Sequence, residues 1–179
     1  MNQNELKEKQ DNLSKALIAI ERWWNRLNEQ PGEKAQLRRC HSATEVELSA
    51  PYFNFLLSLK GIPIPMRNRL PIIAGVLAHV KSNDLNQTIA ESMGKGETPK
   101  VSNLRFRKFI NIESDNELYV AMIRIVRLLD GRVNIHDIIK SILYWNERTR
   151  KDWAYLYYTG KNLNESMYFD TNQEAAIKN

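Results

Sequence analysis

Apolar residues recur along this chain at intervals of three and four, the spacing that places side chains on one face of an α-helix. The first stripe predicts a helix over residues 11–29 and consists of Leu13, Leu17, Ile20, Trp24 and Leu27. Further stripes predict helices over residues 33–40, from Pro51, from Leu70 to Val80, and over 85–93, 101–110, 114–130, 134–145 and 149–158. Strand-like alternation is confined to residues 44–48. The pattern predicts an all-α fold.

Helix boundaries can be placed where capping residues precede a stripe. Ser114 precedes the longest stripe of the C-terminal half, and Glu117 follows three residues later, which is a capping-box pattern. Gly131 is expected to end that helix, and Asn134 to begin the next one. Ser49 and Pro51 likewise predict a helix start.

Three of these helices allow a prediction of which side chains are buried. The helix from Pro51 is expected to bury Phe53, Leu56 and Leu57, with Tyr52 and Phe55 flanking. The segment from Leu70 to Val80 is apolar nearly all round, which predicts a central position. The helix after Ser114 is expected to bury the stripe of Leu118, Met122, Ile125 and Leu129.

The tryptophans are expected to contribute mainly to the core. Trp24 and Trp153 lie on predicted inner faces, whereas Trp23 is expected to be the more exposed one. Stacking of these rings on nucleic-acid bases is the alternative use.

A glycine-containing segment, residues 94–100, divides the chain into two predicted parts. It is expected to act as a flexible basic connector between an N-terminal lobe, residues 1–93, and a C-terminal lobe, residues 101–158. Residues 159–179 are expected to form a frayed tail. The expected architecture is two small helical bundles packed into one elongated body.

Composition excludes several classes of protein. The 179 residues are 42% hydrophobic, which is sufficient for a folded core. The single Cys40 excludes an internal disulfide framework and a zinc site built from several cysteines. The apolar runs are shorter than the ~18 residues that cross a bilayer, and the first residues do not resemble a secretion signal. A cytoplasmic location is therefore expected.

Basic residues cluster beside the apolar stripes, and the chain carries a formal net charge of +5. Clustered arginines and lysines attract phosphate backbones by releasing condensed counterions. Residues 94–110 are the densest part, with five bases against Glu97. The candidate nucleic-acid-binding residues are Arg38, Arg39, Lys95, Lys100, Arg105, Arg107, Lys108, Arg127, Arg148, Arg150 and Lys151.

Salt bridges are the alternative role for several of these cations. Arg127 either pairs with an acid such as Asp130 or Glu113 or points at a phosphate. The cluster of Arg148, Arg150 and Lys151 is opposed by Glu147 and Asp152, so surface ion pairs are a fair alternative there.

The histidines do not form a recognisable catalytic arrangement. Cys40 and His41 are sequence neighbours, as are His136 and Asp137, and adjacent side chains on a helix do not face each other. No phosphate-binding glycine loop and no two-metal spacing is present in the sequence. We therefore expect no enzymatic activity, no metal and no cofactor.

The order of motifs resembles the small (CasB-type) subunit of the type I-E CRISPR surveillance complex, Cascade. Over about residues 20–158, the resemblance rests on Ala35–Arg39 followed by Pro51 and Phe53, Arg105–Ile110, Arg124–Leu129, Val133–Trp145 and Trp153–Tyr158. Two features depart from the family pattern. Valine stands at position 126, where an arginine pair is common, and the tail beyond Tyr158 is long.

The resemblance implies an all-helical, non-catalytic, cytoplasmic subunit that stabilises guide–target pairing and the displaced DNA strand. It implies contact with guide RNA and single-stranded target DNA through backbone phosphates, with other Cascade subunits, and with a second copy of itself. By carry-over, the contact candidates are Arg39, the bases of 105–108, Arg127 and the 148–151 cluster. The alternative function is a helical protein–protein adaptor without direct nucleic-acid contact.

Overall fold

The computed structural model describes residues 3–159, and within them the chain is mostly helical. The α-helices are α1 (Gln3–Asn28), α2 (Pro31–Arg39), α3 (Ala43–Glu47), α4 (Ala50–Ser58), α5 (Leu70–Leu77), α6 (Ile89–Gly94), α7 (Asn103–Ile110), α8 (Asp115–Leu128), α9 (Ile135–Leu143) and α10 (Glu147–Thr159). A 3-10 turn, Arg67–Arg69, precedes α5. The prediction of an all-α fold is confirmed, and the predicted frayed tail lies outside the described residues from position 160 onward.

The structure adds one short pair of strands that the helical pattern did not predict. β1 (Ser82–Asn83) pairs in parallel with β2 (Arg132–Val133). Each strand has two residues, too few for a sequence pattern to be visible. The pair joins the segment after α5 to the segment after α8.

Side-chain caps start α8 and α9 where the sequence predicted them. The Ser114 hydroxyl accepts from the Glu117 N–H at 3.5 Å, and the side-chain amide oxygen of Asn134 accepts from the Asp137 N–H at 3.0 Å. At α6 a complete capping box forms, because the Glu91 carboxylate also accepts from the backbone N–H of Thr88. These contacts are local, which is why sequence spacing was sufficient to find the two predicted starts.

Helix α5 is the centre of the molecule. Every residue from Leu70 to Val80 is buried, as the apolar run predicted. Helices α2, α3, α4, α8 and α9 pack around it. Gly75 allows α8 to approach closely, because a Cβ there would lie 2.6 Å from a ring carbon of Tyr119.

The C-terminal helices share an aromatic cluster. Trp153 packs against Trp145 and Phe109, with ring centroids 5.3 Å away from its own in both cases. Phe106 stacks on Tyr157 at 3.9 Å with nearly parallel rings. These aromatic contacts hold α7 and α10 in fixed positions.

The predicted buried stripe of α8 is confirmed, as is the predicted burial of Trp24 and Trp153.

The predicted inner face of α4 is wrong. Phe53 and Leu57 are 58% and 68% exposed, while Tyr52 and Phe55 are buried. Trp23, expected to be exposed, is 3% exposed and packs on Phe55 with ring centroids 4.6 Å apart. Because α4 is apolar on nearly every side, the periodicity of its sequence does not indicate which face is buried. Packing against α1 determines the buried face.

Residues 44–48, where alternation suggested a strand, form most of α3 instead. The hydroxyl of Ser42 accepts from the Glu45 N–H at 3.2 Å and starts this helix. Leu104, one of the large apolar residues of α7, is 66% exposed. In both segments the pattern was too short to specify the packing.

Contacts cross the segment predicted as a lobe boundary. Helix α6, which precedes the connector of residues 94–100, packs extensively on α10, the last helix of the chain's C-terminal part. The buried apolar residues of both parts belong to one cluster. The division into two lobes stays a prediction.

Candidate nucleic-acid interface

A cleft of about 530 Å³ lies between α7 and α8 and carries basic residues on both of its walls. Arg105 and Lys108 extend from α7, and Arg124 and Arg127 from α8. We call this cleft with its four cations the α7–α8 groove. Its floor is apolar and includes Phe109, Ile125 and Leu128.

Helical spacing explains why the four cations face the same cleft. Arg105 and Lys108 are three residues apart on α7, as are Arg124 and Arg127 on α8, so each pair shares one face of its helix. The buried residues of both helices, such as Phe106 and Met122, turn toward the core. The two basic faces are thereby left at the surface.

The charges of the groove are not neutralised within the described part of the chain. Among residues 3–159, none of the four cations has an ion-pair partner within 4.0 Å. All four are exposed. Arginine side chains in this state can meet phosphate oxygens with two parallel hydrogen bonds.

The two acids considered as partners for Arg127 are bound to other cations. Lys100 Nζ lies 2.8 Å from an Asp130 carboxylate oxygen, and Arg150 lies 3.5 Å from Glu113. The hydrogen bond and the charge of Lys100 lower the pKa of Asp130. Arg127 is therefore available to an external anion.

The remaining candidates of the 94–110 segment lie outside the groove. Lys95 and Lys100 line a second cleft of about 270 Å³, where Lys95 donates to the Gln87 side chain at 3.3 Å. Arg107 is exposed but does not line the α7–α8 groove. The structure thus brings Arg105 and Lys108 together and separates Lys95, Lys100 and Arg107 from them.

The cations of α10 are partly neutralised by neighbours. Lys151 Nζ lies 2.7 Å from Glu147, and its hydrogen bond and charge lower the pKa of that carboxyl. With the Arg150–Glu113 pair, two of the three cations have the surface ion pairs considered above, and Arg148 is exposed. Exposed pairs of this kind contribute about 0–1 kcal/mol to stability.

Arg38 and Arg39 are exposed in the last turn of α2. Burial lowers the pKa of His79, which follows α5, and the charges of Arg127 and Arg38 add to this effect. Neither Arg38 nor Arg39 lines the α7–α8 groove.

Sequence reasoning did not include Arg124 among the candidate site residues. The signal for Arg124 was its three-residue spacing from Arg127.

The other histidine and carboxylate pairs have structural partners. His136 Nε2 lies 2.8 Å from a Glu21 carboxylate oxygen, and Asp137 accepts from the Ile89 N–H at 2.8 Å. Burial raises the pKa of Asp137, which acts as a cap for α6. No group of three or more possible metal ligands occurs within residues 3–159. None of the helices described is long and apolar enough to cross a membrane.

Comparison with known proteins identifies the family. A chain in the crystal structure of E. coli Cascade bound to a PAM-containing dsDNA target has the same fold, with a TM-score of 0.59, 16% sequence identity, and coverage of 78% of this chain and 92% of that one. No match was found among curated proteins. The sequence model of CRISPR-associated protein Cse2 matches residues 33–158, which include both walls of the groove. Because this match spans more than half of the sequence, the chain belongs to the CRISPR-associated protein Cse2 family, the small-subunit family that its motifs resemble.

Proposed function

We propose that this protein is a non-catalytic subunit of a Cascade-type complex and that it binds the sugar–phosphate backbone of a nucleic acid in the α7–α8 groove. The observation that carries the proposal is the convergence of four exposed cations on one cleft without an acidic partner among the described residues. Family membership and the Cascade fold neighbour support the assignment to a complex.

The chemistry of the groove favours backbone contact over base reading. Arg105, Arg124 and Arg127 offer planar forks that match phosphate oxygens, and Lys108 offers a point charge. Phosphate contacts carry no sequence information, which suits a subunit of a complex in which guide pairing reads the sequence. The natural ligand of such a groove is the displaced single strand or the guide–target region.

The apolar floor of the α7–α8 groove bears on which form of nucleic acid the groove binds. Phe109 and Ile125 lie between the two basic walls, where the sugar and base faces of an unpaired strand can pack. A single strand presents these faces, whereas a duplex shields its bases. We therefore infer a preference for single-stranded over double-stranded nucleic acid.

Replacing Arg105 and Lys108 together by glutamine tests this function. Removing two exposed phosphate contacts is expected to weaken binding of a single-stranded oligonucleotide about tenfold and to reduce the salt slope by about 1.4. Fluorescence anisotropy at several salt concentrations measures both quantities. The matched control replaces Lys15 and Arg22, exposed cations of α1, by glutamine and removes the same charge elsewhere. Equal affinity and slope in the groove variant and the wild type would contradict the proposal.

A second candidate function, protein–protein adaptor, is favoured by the exposed face of α4. Phe53 and Leu57 line a cleft of about 430 Å³ together with Lys60 and Arg67. Exposed apolar residues grouped in this way are typical of protein contact sites. In the proposed complex this surface would contact a neighbouring subunit or a second copy of the chain.

Co-purification with the other subunits after nuclease digestion distinguishes the role of the α4 surface from that of the α7–α8 groove. Replacing Phe53 and Leu57 by serine is expected to reduce recovery of the subunit in the complex, because it removes apolar contact area. The Arg105/Lys108 variant is expected to stay in the complex. If only the Arg105/Lys108 variant loses both oligonucleotide binding and recovery in the complex, assembly depends on the nucleic acid and not on the exposed face of α4.

A further inference from the structure

The α7–α8 groove combines an apolar floor with cations that no acid of the described chain neutralises. Two cations extend from each wall, and none of the four has an ion-pair partner within 4.0 Å among residues 3–159. Phe109, Ile125 and Leu128 lie between the walls. A ligand complementary to this surface carries negative charges on both sides of an apolar centre.

The segment of this chain that follows α10 has such a composition. Residues 162–177 contain the acids Glu165, Asp170 and Glu174 and no lysine or arginine. The apolar triplet Met167–Phe169 stands between the first two of these acids. The order of acid, apolar groups and acid is complementary to the order of cations, apolar floor and cations across the groove. Complementary charge favours association with this surface over others.

The end of α10 lies beside the groove. The Tyr157 hydroxyl donates to the Val101 carbonyl oxygen at 2.7 Å, and Val101 lines the groove. The Tyr158 hydroxyl donates to the side-chain oxygen of Asn103 at 3.0 Å, and Asn103 is the first residue of α7. The chain therefore leaves α10 next to one end of the α7 wall.

The chain between α10 and the apolar triplet is long enough to reach along the groove. Tyr168 lies nine positions after Thr159, the last residue of α10. An extended chain covers up to ~3.3–3.6 Å per residue, which gives a reach of about 30 Å. The whole of α7 rises only about 12 Å along its axis. The segment can therefore pass the start of α7 and place Tyr168 over the groove floor.

Two other clefts fit the segment less well. The cleft of about 450 Å³ beside the end of α10 is lined mainly by polar residues and includes the carboxylate of Glu91, which repels acids. The cleft on α4 is apolar but offers two cations, Lys60 and Arg67, instead of four. Helix α10 packs on α6 and α7, so the segment starts beside the α7–α8 groove.

We propose that residues 163–170 bind in the α7–α8 groove of the free subunit and that nucleic acid displaces them. Glu165 and Asp170 pair with cations of the two walls, and Tyr168 and Phe169 pack on the apolar floor. The segment thereby competes with the sugar–phosphate backbone for the same surface. The inference rests on the proposed function, because it assigns a competitor for the same groove, and for these residues it replaces the expectation of a frayed tail.

The first test locates the segment by photo-crosslinking in the full chain without nucleic acid. Tyr168→p-benzoylphenylalanine places a photoreactive ring in the segment, and mass spectrometry of the digested protein identifies the crosslinked residues. We expect crosslinks within one chain to residues of α7 and α8. The control Phe53→p-benzoylphenylalanine carries the same ring on the exposed face of α4 and is expected not to crosslink to the groove. A digest without intrachain crosslinks from position 168 to α7 or α8 would overturn the inference.

The second test compares the oligonucleotide affinity of the wild type with that of Glu165→Gln/Asp170→Asn. A tethered segment has an effective concentration of about 1 mM, so even weak binding to the groove competes with a ligand. Removing its two charges is expected to tighten single-strand binding about threefold. The matched control Glu8→Gln/Asp11→Asn removes two exposed acids from α1 and is expected to change the affinity much less. A gain no larger than that of the control would mean that net charge alone acts, and the inference would be wrong.

The outcomes separate this inference from the proposed function. If the wild type and the Glu165/Asp170 variant both bind no oligonucleotide, the proposed function is wrong, and the crosslinks still decide where the segment lies. If the wild type binds oligonucleotide but forms no groove crosslinks, the inference is wrong and the proposed function stands. A saturating single-stranded oligonucleotide is expected to abolish the groove crosslinks, and their persistence would overturn the competition.

Discussion

Replacing Arg69 by methionine is expected to lower the free energy of unfolding by about 3 kcal/mol, because it removes several charge-assisted hydrogen bonds in a mostly buried position. The Arg69 side chain is 12% exposed, and its Nε donates to an Asp115 carboxylate oxygen at 3.0 Å. Its Nη1 donates to the carbonyl oxygens of Ile142, Leu143 and Trp145 at 3.1–3.3 Å.

These contacts satisfy the end of α9, whose last carbonyl groups have no partner within the helix. The same arginine holds the first turn of α8 through Asp115 and precedes α5 directly. One side chain therefore connects three helices. Methionine keeps much of the apolar stem but removes the donor that Arg69 supplies to these carbonyl oxygens and leaves Asp115 without its cation, which is why the expected cost is large.

Urea denaturation followed by far-ultraviolet circular dichroism measures this effect. The matched control is Arg67→Met in the same 3-10 turn, since Arg67 is exposed and has no ion-pair partner among the described residues. That control is expected to change stability by less than about 0.5 kcal/mol. Equal stability of the two variants would show that the buried contacts of Arg69 do not stabilise the fold.

Replacing Gly94 by alanine is the second change with a large expected effect, a loss of about 3 kcal/mol of stability. A Cβ at this position would lie 2.1 Å from the carbonyl oxygen of Tyr157 and 3.0 Å from its carbonyl carbon. Both are backbone atoms of α10, so a rotamer change cannot relieve the overlap. The end of α6 and the helix α10 would have to move apart.

The displacement would spread to α7 through Tyr157. Its hydroxyl donates to the Val101 carbonyl oxygen at 2.7 Å, and its ring stacks on Phe106. A shift of α10 therefore weakens contacts that also position one wall of the α7–α8 groove. We expect a weaker oligonucleotide affinity in this variant as a secondary consequence of the displaced α7.

Differential scanning calorimetry should show a fall in the melting temperature of about 6–12 °C for a chain of this size. Gly32→Ala in α2 is the control, because nothing lies within 4 Å of a Cβ there. It is expected to be neutral or to stabilise by up to about 1 kcal/mol. A melting temperature of the Gly94 variant close to that of the wild type would mean that α6 and α10 are not in such close contact.

Local features of the fold could be predicted because their causes are local. The stripe of Leu118, Met122, Ile125 and Leu129 and the caps Ser114 and Asn134 depend on residues within one or two helical turns of each other. The all-α class follows from such stripes. The inner face of α4 could not be predicted in this way, because Phe53 and Phe55 are equally apolar and only the contact with Trp23 distinguishes them.

For the candidate interface, sequence alone determined that cations accompany the apolar stripes at helical spacing, since charge and periodicity are properties of the chain itself. Which of those cations stay uncompensated was decided by tertiary structure. Lys100 meets an acid 30 residues away, whereas Arg127 meets none among residues 3–159. The physical reason is that ion pairing and burial depend on distances between helices, and those distances are set by core packing around α5.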